Sequence, residues 1–129
     1  MVKVAVLDLN DPKNWNHWII GTPTEVPESS PFYSEQIQIA HVKNLEKGIL
    51  EKEPEHYHSP PIEEFYLVLQ GILKVKVEDN IIVLKPKQIL AIPPNKRHKI
   101  LNYSLPILFF TIRAPISTEK TKIKTVKSV

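Results

Sequence analysis

Between Glu35 and Arg113 the chain holds short runs in which apolar and polar residues alternate with a period of two. That is the pattern of strands with one buried face. In Gln36-Ile37-Gln38-Ile39-Ala40-His41-Val42 the residues Ile37, Ile39 and His41 share a face, so His41 is expected inside, as a satisfied core or rim histidine. Phe65 to Leu69 is apolar on both faces and reads as a central strand covered on both sides, ended by Gly71. Leu73, Val75 and Val77 then alternate with Ile72, Lys74 and Lys76, and Glu78-Asp79-Asn80 offers a hairpin turn. Further strands are expected at 81–84, 88–92, 98–102 and 107–113, separated by Pro86, Pro93-Pro94-Asn95 and Pro106. Short strands in series, with almost no helix, predict an all-β sandwich or barrel.

The flanks read differently. Residues 2–7 predict a short strand, and Asn10-Asp11-Pro12 a turn or helix start with Pro12 at a first helical position. Trp15 and Trp18 are expected to pack on the body rather than line a pocket mouth. Residues 21–32 are rich in turn formers and predict a surface loop. After a turn at Lys47-Gly48 an extended run leads to His56. The expected organisation is an arm over 1–34, a barrel over 35–115 and a basic tail over 116–129.

Composition narrows the class. The 129 residues, 42% hydrophobic and 24% charged, are enough for one globular domain with its own core. No apolar run has the roughly 20 residues that a membrane helix needs. The chain has no cysteine, so disulfides and cysteine-based zinc sites are excluded, and a cytoplasmic location is expected. A single Met and many Lys, Glu and Ile are compatible with a thermophilic source. The pI of 9.1 does not argue for nucleic acid. Lys120, Lys122, Lys124 and Lys127 against Glu119 give the tail a net +3, which is the net charge of the whole chain, so residues 1–115 balance. A solvated tail is the expected reading, with Lys122-Ile123-Lys124 as a lysine-guarded edge strand the alternative.

One stretch carries chemistry. His56 and His58 stand at i and i+2, on the same face of an extended strand. Glu63-Glu64 follows and His98 lies on a separate segment, so three imidazoles and one carboxylate could converge on a divalent transition metal. Glu63 and Glu64 face opposite sides of any strand, so only one of them can serve.

These residues resemble the two motifs of the cupins. His56-Tyr57-His58, a spacer, Glu64, six residues and Gly71 are similar to the first motif; Pro93-Pro94-Asn95, two residues, His98, three residues and Asn102 are similar to the second. The resemblance spans residues 48 to 115. It implies a small jelly-roll β-barrel with a metal inside, held by His56, His58, Glu64 and His98. Counting back from Gly71 selects Glu64; counting forward from His58 would select Glu63. Asn95 stands at the usual glycine position of the second motif, where a left-handed residue is expected. Lys87 replaces the glycine that usually opens that motif.

Three imidazoles and one carboxylate leave two open positions on an octahedral ion, which could be Fe, Mn, Ni, Co, Cu or Zn, one per chain. If Glu64 points inward, Tyr66, Val68 and Gln70 share its face, and Tyr66 is the candidate catalytic residue as proton donor or substrate orienter. Arg113 ends the last apolar strand, where it would meet an anion or water. Few cations fall on the expected inner faces, which favours a small, partly apolar ligand. The first expectation is a metal-dependent oxygenase-type enzyme on a small organic substrate. The alternatives are a non-catalytic metal- or ligand-binding barrel and a redox-inert isomerase or epimerase. A homodimer is expected to cover the outer face of strand 65–69; no nucleic-acid or membrane partner is expected.

Overall fold

The computed structural model describes residues 4–116 and the backbone of 123–125. Its strands are β1 (His17–Ile20), β2 (Gln38–Lys43), β3 (His56–His58), β4 (Glu63–Gln70), β5 (Leu73–Val77), β6 (Asn80–Leu84), β7 (Gln88–Ile92), β8 (His98–Tyr103), β9 (Leu108–Ala114) and β10 (Ile123–Thr125). The described helical elements are two short 3-10 turns, Pro12–Asn14 and Leu50–Lys52. Two five-stranded antiparallel sheets, ordered β1-β2-β9-β4-β7 and β10-β3-β8-β5-β6, face each other as a jelly-roll barrel. Among the described residues no helix is long and apolar enough to cross a membrane.

The alternating residues meet between the sheets. Val68 and Phe109 from the first sheet pack with Leu73, Val75 and Ile107 into a dry core. Polar neighbours such as Lys74 point out. The core fills one end of the barrel, and the other end stays open for the polar side chains described below.

Turn chemistry fits the backbone. Asn95 and Lys87 both adopt positive φ, 67° and 69°, so Lys87 takes up the conformation of the glycine it replaces. Glu78 does the same at the β5–β6 hairpin, with φ 53°. Gly71 has φ +83°, and a Cβ there would clash with the carbonyl oxygen of Pro106. Gly71→Ala is therefore expected to cost at least about 2 kcal/mol of stability, from backbone strain plus a clash with main chain. Gly48→Ala, at φ +97° but with open space, should cost only about 1 kcal/mol. Denaturant unfolding of the two variants checks this, and equal losses would refute the clash.

Several expectations need correction. Residues 4–7 form no strand: Val4 and Val6 are fully exposed and pair with nothing described, while residues 2–3 lie outside the described residues. The arm instead contributes β1, hydrogen-bonded to β2. The run toward His56 is interrupted by the turn at Leu50–Lys52. His41 is buried, but faces away from the barrel interior, since its neighbours Ala40 and Val42 line the interior cavity. The arm covers it: its Nδ1 lies 3.1 Å from the carbonyl of Asn14, and its ring packs on Phe110. Burial keeps it neutral by lowering its pKa, against the opposing pull of that hydrogen bond. In the tail, Ile123–Thr125 pairs with β3 as an edge strand, the alternative reading of that segment; Lys122 lies outside the described residues.

Candidate metal centre

Prolines bracket the short strand β3, with Pro54 before it and Pro60-Pro61 after it. The period of two then turns both of its histidines into the barrel, and both are buried. His98 opens β8 directly across from His56 in the ladder. Glu64 reaches them from the opposite sheet. It is 1% exposed, whereas Glu63 beside it points to solvent. The two sheets thus supply three imidazoles and one carboxylate to one point, with a ligand atom of each within 4.8 Å of the others.

The hydrogen bonds around this point have a direction. Nδ1 of His56 lies 2.9 Å from the carbonyl of Pro54, and Nδ1 of His98 lies 2.9 Å from the carbonyl of Lys96. A carbonyl only accepts, so each Nδ1 carries the proton, and each Nε2 presents a lone pair inward. The Nε2 atoms of all three histidines and Oε1 of Glu64 are buried without a well-aligned hydrogen-bond partner. Nε2 of His98 does come 2.9 Å from Oε1 of Glu64, and Nε2 of His58 3.5 Å from Oε2, as ion-pair distances. Four converging buried polar atoms without aligned partners would be costly as a purely structural feature. Their chemistry fits a borderline divalent cation, with the Nδ1 contacts fixing the rings as metal-binding imidazoles usually are fixed.

The electrostatics agree. Burial pushes the Glu64 carboxyl up, but the adjoining imidazoles of His58 and His98 and the charge of Arg113 outweigh it and hold the group well below the usual carboxylate range. Burial, reinforced by the charge of His98, lowers His56. Burial also pulls His98 down, yet the adjoining Glu64 outweighs it and raises the group. Tyr66, one pleat along β4 from Glu64, is driven well above 10 by burial and by the Glu64 charge. Its phenol is therefore protonated at neutral pH.

A cavity of about 560 Å³ adjoins the centre, which contributes His56 to its wall. Val42, Leu45, Leu50, Ile100 and Phe109 give it an apolar wall; Asn16, His17, Glu53, Thr111 and Arg113 give it polar groups. Trp18 also lines it, contrary to the expectation of packing alone, whereas Trp15 is tied to the arm through the carbonyl of Leu9. Arg113 is directly opposite Glu64 in the β4–β9 ladder, its Nε bonded to Oε2 of Glu64, with the guanidinium 4.7 Å above the Trp18 ring. Sequence reasoning left Arg113 at a strand end and passed over Thr111. The alternation Phe109, Thr111, Arg113 was the available signal for both. Tyr66 and Val68 do share the inner face with Glu64, but Gln70 does not remain buried with them: the β4–β9 register shifts between Val68 and Gln70, and Gln70 is exposed.

A family model described as a cupin domain matches residues 45–112. No curated protein matches. Similar solved structures include the Streptomyces protein PAC13 with uridine, at 15% identity and a TM-score of 0.58 over 73% of this chain and 70% of that one. Another structure of that protein is titled a nucleoside dehydratase. KdgF from a Halomonas species matches at 16% identity and a TM-score of 0.54, covering 66% of this chain and 74% of that one. An RmlC-like protein of Methanocaldococcus jannaschii with a double-stranded β-helix fold matches at 27% identity and a TM-score of 0.51, covering 64% and 72%.

Proposed function

The chain belongs to the cupin domain family, and from that premise we propose that it is a mononuclear metal-dependent enzyme of the oxygenase type acting on a small organic substrate. The observation that carries the reading is the set of four buried, converging ligand atoms of His56, His58, Glu64 and His98, none with an aligned hydrogen-bond partner. One divalent ion per chain, drawn from Fe, Mn, Ni, Co, Cu or Zn, would be held by these four groups. When bound, it would supply Lewis-acid or redox chemistry at the positions they leave open. The protein's own part is to exclude water with an apolar wall, hold the substrate and manage a proton. Tyr66 lines the cavity with its phenol protonated, so it is the group placed to donate a proton to a bound substrate oxygen.

The same phenol favours one second reading, a redox-inert isomerase or lyase in which proton transfer is the chemistry. The solved dehydratase neighbour is compatible with it. One assay separates the two. The oxygenase reading expects oxygen uptake by Fe(II)-loaded protein with a catecholic or dicarbonyl compound and none with Zn(II); the other expects anaerobic turnover with Zn(II). In either case Tyr66→Phe should lower kcat about 100-fold with metal content unchanged. No turnover with any metal would leave a non-catalytic binding protein.

The proposal extends to a cytoplasmic homodimer. The outer face of β4 and β7 carries Phe65, Leu67 and Ile89, and Ile89 is 63% exposed, an apolar strip that a second copy would cover. A sedimentation mass of a single chain would remove that part.

A further inference from the structure

We infer that Arg113 is the recognition group for a carboxylate, and that the cavity takes a small carboxylic acid with a flat, apolar body. This rests on the metal reading above and names its ligand class. Arg113 spends only Nε on Glu64, and among the described residues its two terminal amino groups have no hydrogen-bond partner. One face of the guanidinium lies on the Trp18 ring, and both residues line the cavity. The planar fork is thus fixed on one edge and one face, with its terminal nitrogens left over. Such a fork matches a carboxylate, to which it donates two parallel hydrogen bonds.

Charge gives the reason an anion belongs there. Without a metal, Arg113 and Glu64 neutralise each other. A divalent cation bound to the buried Glu64 leaves a surplus of about two positive charges, and such charge beside buried groups calls for a counter-ion. Glu53, exposed at the rim, offsets at most part of it. An arginine present only to hold Glu64 would be redundant once a metal took that role. The wall sets the rest of the ligand. The Trp18 ring and the side chains of Val42, Leu50 and Phe109 provide a surface for an aromatic or unsaturated body.

Trp18 also reports binding. In a Trp15→Phe background it is the remaining tryptophan, and its emission can be titrated with benzoate and with benzamide, a neutral molecule of the same shape, in Zn(II)-loaded protein whose metal content is measured on the same sample. Benzoate is expected to bind at least about tenfold tighter than benzamide, as a charge-assisted pair requires. Arg113→Lys, which keeps the charge and loses the fork, should reduce that preference severalfold. Equal affinities for the two probes in zinc-loaded protein overturn the inference, as does an unchanged preference in Arg113→Lys. Should the lysine variant fail to fold, the ratio in the parent protein still decides. A sample that takes up no zinc overturns the metal reading instead, and a benzoate preference in that sample would keep Arg113 as the anchor without it.

Discussion

His98→Ala is expected to take bound divalent metal from about one ion per chain to a small fraction of that, through a loss of affinity of at least about 100-fold. His98 is 1% exposed, and its ring orientation is set by the Lys96 carbonyl. Its Nε2 stands beside Oε1 of Glu64, across from His56 in the ladder. Alanine removes one of three imidazoles, and among the described residues the converging group of histidines and carboxylates holds only His56, His58, Glu64 and His98. His41→Phe is the control: His41 is equally buried but lies on the far side of the first sheet, so its loss should leave the metal in place. Equilibrium dialysis with elemental analysis measures both. Unchanged metal content in His98→Ala would sink the ligand assignment.

Arg113→Met is expected to destabilise the metal-free protein by roughly 3–5 kcal/mol, because it strands the Glu64 carboxylate in the interior without its counter-charge. For a domain of this size that is a fall in Tm on the order of 10 °C. Metal should restore much of the loss, since a cation bound to Glu64 supplies the missing charge. Glu64→Gln in the same background should restore it without metal, because no buried charge then needs a partner. Calorimetry on the single and double variants gives the coupling directly. A single variant with unchanged Tm would mean that the pair contributes nothing to the fold.

What the sequence disclosed and what it hid follow from the range of the interactions involved. Period two placed His56 and His58 on one face, and that needs only local geometry. The spacing from Gly71 back to Glu64 was readable because strand β4 is regular over that stretch. The inward turn of Glu64 and the outward turn of Glu63 follow from the same pleat. Arg113 was hidden because its importance depends on register: only the β4–β9 ladder sets it opposite Glu64, 49 residues away in sequence. Trp18 was hidden because β1 is too short to show a period and becomes a strand by pairing with β2. His41 is the buried, hydrogen-bonded histidine expected, but the side it faces was not legible. It has the alternation of an inner face, but both faces of β2 are covered, one by the core and one by the arm, so periodicity could not say which was which. Val4 and Val6 alternate as well as any strand does, yet lie exposed, because alternation without a partner edge forms no ladder.

Three imidazoles and one carboxylate holding a single metal ion would leave a direct spectroscopic signature. The most direct measurement is the X-ray absorption spectrum of the loaded protein at the edge of its bound metal. One metal per chain is expected, with about three imidazole scatterers in a shell otherwise made of oxygen. A spectrum with no imidazole in the shell, like that of an ion held by surface carboxylates and water, would contradict it.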